Sequence, residues 1–334
     1  MKQKFIKTIY IFIGRVIFLA NLATSQTPTP LSKAKTTRRI WIDLLRPHTL
    51  TASFIPVLIG TMLSVVFLDT IQISYGLFFA FLLLCMCLQT ATNIYNEYFD
   101  YVKGLDTAES VGNGGTIVRY GVSPKTVRNI GHFCMTASLL LGLYICSQTS
   151  WILLILGLLS MGIAYLYTGG PKPIAYTPFG EIFAGFFMGI LIINIAFFIQ
   201  TGNVIWETLV ASLPSFILIG LILTGNSIRD IKEDTRGGRK TLAILLGKER
   251  SVLFLKVMFT LTFLITAGFA LTQTVPWIYL LTLLAVPKAI QACNGFLGKE
   301  QPADMMPGMI AIAQTYTLYG LLFSLCLLLS YFLH

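Results

Sequence analysis

Charge is what this chain lacks. Only 11% of its 334 residues are Asp, Glu, Lys or Arg, against about 25% in an ordinary soluble domain. Mean hydropathy is +0.76 and 55% of the residues are hydrophobic. A soluble globular fold is thereby excluded, and a polytopic membrane protein is expected. Carboxylates are scarce, 14 in all against 24 Lys+Arg, and there are 3 histidines and 6 cysteines. No cysteine pair has C-x-x-C spacing. Cys85, Cys87, Cys134, Cys146, Cys293 and Cys326 all fall in apolar segments. They read as small packing residues rather than a metal centre or a disulfide framework. The net charge of +10 does not imply a nucleic-acid partner, because the basic residues lie between apolar runs and not on one soluble face.

The apolar runs are continuous rather than alternating, which excludes a membrane barrel and predicts an all-α protein. A spanning helix needs about 20 apolar residues. Nine spans are expected, near 50–68, 75–95, 129–147, 151–168, 180–200, 208–228, 251–271, 276–294 and 309–332. The gaps between them alternate sharply in charge. The gaps 68–74, 147–150, 201–207 and 271–275 contain no Lys or Arg. Every basic residue lies in the other set of segments, except Lys256 and Lys288 inside spans seven and eight. The positive-inside rule then predicts a cytoplasmic N-terminus, basic loops in the cytoplasm and an outside C-terminus. The expected location is the plasma membrane. Residues 1–40 are expected to form a cytoplasmic or interfacial extension, and 41–334 one membrane domain. The apolar run near the N-terminus is broken by Arg15 and followed by no A-x-A site, which argues for a retained extension over a cleaved signal peptide.

Six of the 14 carboxylates sit in two stretches where an apolar run ends. The first contains Asn93, Glu97 and Asp100, spaced i, i+4 and i+7. The second contains Asn226, Asp230 and Asp234, spaced i, i+4 and i+8. Helical spacing puts an amide and two carboxylates on one face of each. The stretches follow spans two and six, and both fall on the cytoplasmic side. If the two faces meet, four carboxylates converge and repel one another. Divalent cations resolve that repulsion, and oxygen-only ligands point to Mg2+. Glu97, Asp100, Asp230 and Asp234 are therefore the expected metal ligands and catalytic groups. Mg2+ tends to use one or two carboxylates plus substrate phosphates, so a diphosphate is the expected ligand. Arg119, Lys172, Arg229, Arg239 and Lys240 are the candidate phosphate-binding cations. Repeated halves with carboxylates near a membrane also suit a cation-coupled transporter. Against that reading, the acidic sets lie at one edge and not at the midplane.

Two motifs carry a family resemblance. Asn96-Glu97-x-x-Asp100-x-x-x-Gly104-x-Asp106 and Asn226-x-x-Arg229-Asp230-x-x-x-Asp234-x-x-x-Gly238-Arg239-Lys240-Thr241 resemble the two aspartate-rich motifs of the UbiA superfamily of intramembrane prenyltransferases. Within it, the stretches Arg46 to Pro56, Lys103 to Thr107 and Tyr167 to Tyr176, followed by Gly180 and Glu181, are most similar to the branch that acts on 1,4-dihydroxy-2-naphthoate. The resemblance implies nine helices around a central cavity, with the motifs at the cytoplasmic ends of helices two and six. It implies a prenyl diphosphate held through Mg2+, and transfer of its polyprenyl group to 1,4-dihydroxy-2-naphthoate with loss of CO2, giving demethylmenaquinone. It adds Asn96, Asp106, Arg46 and Tyr167 to the substrate-binding candidates. Another acceptor such as 4-hydroxybenzoate is the alternative within the superfamily. One departure is Glu97, where many members carry Asp.

Overall fold

The computed structural model describes residues 37–106, 115–271 and 277–333. The expected N-terminal extension lies almost wholly outside those residues. Every described regular element is helical. Helix α1 (Thr37–Leu45) leads through a tight turn at Pro47–Leu50 into α2 (Thr51–Phe67). Then come α3 (Tyr75–Val102), the short α4 (Thr116–Tyr120), α5 (Pro124–Gln148) and α6 (Ile152–Leu166). Helix α7 runs from Gly180 to Thr201 with a π-helical middle at Gly185–Leu191. It is followed by α8 (Trp206–Arg229), α9 (Ile231–Arg236), α10 (Leu242–Leu246) and α11 (Lys248–Leu271). A 3-10 segment, Trp277–Ala285, passes into α12 (Val286–Asn294), and α13 (Pro302–Leu333) closes the fold.

Six of these helices are long and apolar enough to cross a membrane: α3, α5, α7, α8, α11 and α13. The chain is a multi-pass membrane protein. Helices α2 and α6 are apolar but shorter. The helix α13 is central: two thirds of its apolar window is buried, against 28–56% for the other five. Tyr316, Tyr319, Phe323 and Leu327 of α13 enter the main core with Ile55 and Ile59 of α2 and Leu218 of α8. Several hydroxyls inside this core are satisfied locally, as apolar surroundings favour. Thr266 and Tyr319 share a hydrogen bond of 2.8 Å, and the Thr262, Thr315 and Ser324 hydroxyls donate to carbonyls one turn back.

Helix α7 approaches α8 backbone to backbone. A Cβ on Gly189 would stand 2.6 Å from the Phe216 nitrogen, and one on Gly185 would stand 2.4 Å from the Phe216 carbonyl oxygen. Between apolar helices in lipid, such close van der Waals approach is a main source of association.

Two expected boundaries move. The second span, expected to stop at residue 95, continues as α3 to Val102. Hydropathy ends where charge begins, but the i→i−4 hydrogen bonds do not. Glu97 and Asp100 therefore lie on a helix. The second acidic stretch is instead broken at Asp230, whose φ −97 and ψ 10 separate α8 from α9. The turn is preserved across the break, because Asp234 N–H still donates to the Asp230 carbonyl at 2.8 Å.

Candidate active site

The two acidic stretches meet through one arginine. Arg239, just past α9, donates from Nη2 to Asp100 Oδ1 at 2.6 Å and from Nη1 to Asp234 Oδ1 at 3.0 Å. Its loop is fixed from both sides: Arg239 N–H donates to the Asp234 carbonyl, and Lys240 N–H donates to the Tyr176 carbonyl. The Tyr176 ring lies 5.0 Å from the Arg239 guanidinium and 4.6 Å from Lys103 Nζ. Lys103 Nζ in turn donates to the Thr168 carbonyl at 2.9 Å. One aromatic ring thus supports two cations next to the carboxylates.

Asp230 is held by its own neighbour. Arg229 grips it with two parallel bonds, Nε to Oδ1 at 2.6 Å and Nη2 to Oδ2 at 2.5 Å. This fork geometry is the strong form of a charged hydrogen bond.

The first stretch divides. Asp100 faces Arg239, as described. Asn93 and Glu97, one turn apart, face the junction of α1 and α2. Asn93 Nδ2 donates to Thr49 Oγ1 at 2.8 Å, and the Thr49 hydroxyl donates to the Arg46 carbonyl at 2.8 Å. Glu97, 1% exposed, accepts at Oε2 from Gly115 N–H at 2.9 Å and at Oε1 from the Thr116 hydroxyl at 2.8 Å and Ile117 N–H at 3.2 Å. Arg46 Nη2 adds an ion pair at 3.4 Å. The residue expected to ligate metal has both oxygens occupied by protein donors.

Asp106 is the carboxylate with an opening. Its buried Oδ2 has no hydrogen-bond partner among the described residues. Burial first, then the charges of Asp100 and Glu97, push its carboxyl up to about 7, against the pull of Arg46 and Arg119. Burial likewise raises Asp234 to about 6, with Arg239 opposing and Asp230 and Asp100 adding to the rise. For Arg239 burial works against the charge, yet Asp100 and Asp234 outweigh it and raise the pKa.

The other expected residues are placed as follows. Arg119 lies on α4 with its side chain folded back over Gly115. Tyr167 is next to Arg239, Asp234 and Glu181, and burial raises its phenol. Lys172 and the Lys240 side chain are exposed and enter none of the ion pairs described here. Asn96 and Asn226 are half-buried, and the Asn226 carbonyl accepts the Asp230 N–H. Tyr176 and Lys103 bind the site together, and sequence spacing gave Lys103 no role.

Convergence of four carboxylates on one point does not occur: among the described residues no three His, Cys, Asp or Glu side chains stand close enough to hold a metal ion alone. The donor set still suits Mg2+. It is oxygen only, one guanidinium spans Asp100 and Asp234, and Asp106 keeps an unused buried oxygen. Such a site needs phosphate oxygens to complete the shell.

A profile of the UbiA prenyltransferase family matches residues 53–304. The chain is 48% identical over 294 residues to the 1,4-dihydroxy-2-naphthoate octaprenyltransferase of Bacillus subtilis (strain 168), covering 88% of this chain and 93% of that one. It is 27% identical over 299 residues to the protein of the same name from Haemophilus influenzae, covering 87% and 96%. A UbiA homolog from Archaeoglobus fulgidus, solved with DMAPP and Mg2+, superposes with a TM-score of 0.58 at 17% identity, covering 84% of this chain and 97% of that one. At that identity the likeness speaks for the fold.

Proposed function

The chain belongs to the UbiA prenyltransferase family, and on that ground we propose that it transfers a polyprenyl group from a prenyl diphosphate to 1,4-dihydroxy-2-naphthoate. The observation that carries the acceptor is the 48% identity to a dihydroxynaphthoate octaprenyltransferase over 88% of the chain. The observation that carries the site is the Asp100–Arg239–Asp234 bridge, which joins both acidic segments at one point.

Asp100, Asp106, Asp230 and Asp234 are the carboxylates we assign to Mg2+. Held by these carboxylates, the ion would supply neutralisation of the charge on the departing diphosphate. Arg46, Arg119, Arg229 and Arg239 are suited to the phosphate oxygens, with Lys172 and Lys240 as outer contacts. Asn96, Asn226 and Tyr167 line the same region. The ring carbon that bears the acceptor carboxylate forms a bond to the allylic carbon as the allylic C–O bond to diphosphate breaks. The acceptor carboxylate then leaves as CO2, and its bonding electrons return to the ring. The product is demethylmenaquinone in its reduced form.

We assign nine spans to the chain: the six long helices, with α2, α6, and the composite of the 3-10 segment with α12 as the other three. The membrane domain is 41–334, with 1–40 as an extension. Basic residues on one side favour a cytoplasmic N-terminus and site, an outside C-terminus and a plasma-membrane location. Asp100→Asn and Asp230→Asn should abolish prenyl transfer in membranes while the protein still inserts. Near-normal turnover in both variants would reject the site.

A further inference from the structure

Glu97 departs from its motif in chemistry as well as in length. A metal ligand needs a free lone pair directed into the site. Both Glu97 oxygens instead receive donors from two chain segments: Arg46, and the 115–117 stretch through the Gly115 and Ile117 amides and the Thr116 hydroxyl. A 1%-exposed carboxylate is tolerated only when its charge is met in this way.

What these donors hold in place is informative. Arg46 has φ 48, the left-handed region, at the corner between α1 and α2. A non-glycine residue stays in that region only when its surroundings fix it. Two residues on one face of α3 do so. Glu97 holds the Arg46 side chain, and Asn93 holds Thr49, whose hydroxyl caps the Arg46 carbonyl. On the other side, Glu97 anchors the first turn of α4. Arg119 is on that turn's continuation, and Tyr120 donates its hydroxyl to Asp43 of α1. The Arg119 side chain folds back over Gly115, whose N–H Glu97 accepts. Two cations from different segments, Arg46 directly and Arg119 through its turn, therefore depend on the same glutamate.

We propose that Glu97 is a positioning residue and not a metal ligand: its carboxylate locks Arg46 and the start of α4 so that Arg46 and Arg119 are presented together, as a two-arginine clamp for a diphosphate. The inference rests on the prenyl-diphosphate reading for the ligand, but not for the lock itself.

The test uses the full-length protein in lipid nanodiscs, with Glu97→Gln, Thr116→Val and Asp100→Asn. Two measurements are made. The first is hydrogen exchange of the 115–120 segment without ligand. The proposal expects faster exchange in Glu97→Gln and in Thr116→Val, but not in Asp100→Asn; unchanged exchange in both of the first two overturns it, whatever the substrate. The second is binding of a prenyl thiolodiphosphate at varied Mg2+. Glu97→Gln should weaken the analogue at least about tenfold at saturating Mg2+, as expected when buried donors to a charge lose their partner, with the Mg2+ midpoint unchanged. Asp100→Asn should move that midpoint. A Glu97→Gln protein whose Mg2+ midpoint moves like that of Asp100→Asn, with the 115–120 segment still protected, would make Glu97 a ligand and overturn the proposal. Wild-type protein that binds no analogue, with exchange behaving as expected, rejects the prenyl-diphosphate reading and the clamp but keeps the lock.

Discussion

Arg239 lies 2.6 Å from Asp100, across 139 residues of sequence. That single bond, continued by Arg239 to Asp234 at 3.0 Å, is what turns two separate helix ends into one site. A guanidinium thus occupies the ground between two of the carboxylates that we assign to Mg2+.

Arg239→Met should therefore have two opposite effects. It removes the cation that competes for Asp100 and Asp234, so Mg2+ binds more tightly in the absence of substrate. It also leaves two largely buried carboxylates unpaired, which costs stability by about 3 kcal/mol. Thermal unfolding with and without Mg2+ checks both. The expected result is a variant less stable than wild type without Mg2+ and stabilised more than wild type by adding it.

The pH dependence follows from Asp106 and Asp234, which burial pushes up to about 7 and about 6. An unfolded aspartate titrates near 3.9, so between about pH 4 and about pH 7 the folded protein holds more protons than the unfolded chain. These two groups make the metal-free protein lose stability as pH rises through that window. Mg2+ must displace the same protons, so its apparent affinity weakens as pH falls below about 7, by up to about tenfold per unit for each proton displaced. Calorimetric Mg2+ titrations across that range check the slope. A flat profile would show that neither aspartate titrates with the metal.

The α7–α8 contact makes a prediction about the fold alone. Gly189→Ala places a methyl group 2.6 Å from the Phe216 backbone nitrogen, and backbone cannot swing aside. Overpacking of this kind costs about 1–3 kcal/mol. Gly157→Ala on α6 meets nothing within 4 Å and should raise stability slightly, by up to about 1 kcal/mol, because alanine is the better helix former. The midpoint of thermal unfolding in detergent compares the two.

The helices were legible because lipid imposes a simple rule: long apolar runs satisfy their backbone internally. The runs that became α3, α5, α7, α8, α11 and α13 needed nothing more. Asp100 and Asp234, which the structure joins through Arg239, also stood out in the sequence, because carboxylates are costly at the edge of apolar runs. Their partners were not. Arg239 and Asp100 are distant in sequence, and no local pattern pairs them. Glu97 shows the limit of helical spacing: Glu97 and Asp100 both lie on α3, yet Glu97 turns toward Arg46 and α4 while Asp100 turns toward Arg239. The break at Asp230 is a bend in the chain that a periodicity argument passes over. Lys103 needed the folded position of Tyr176 before its role could be seen.

The most direct test of the whole account is a mass spectrum of the lipid products from membranes containing this protein, given Mg2+, a prenyl diphosphate, and equal amounts of 1,4-dihydroxy-2-naphthoate and 4-hydroxybenzoate. The account predicts a prenylated naphthoquinone product that has lost the acceptor carboxyl group, formed only when Mg2+ is present. A prenylated hydroxybenzoate as the main product, or a prenylated naphthoate that keeps its carboxyl group, would contradict it.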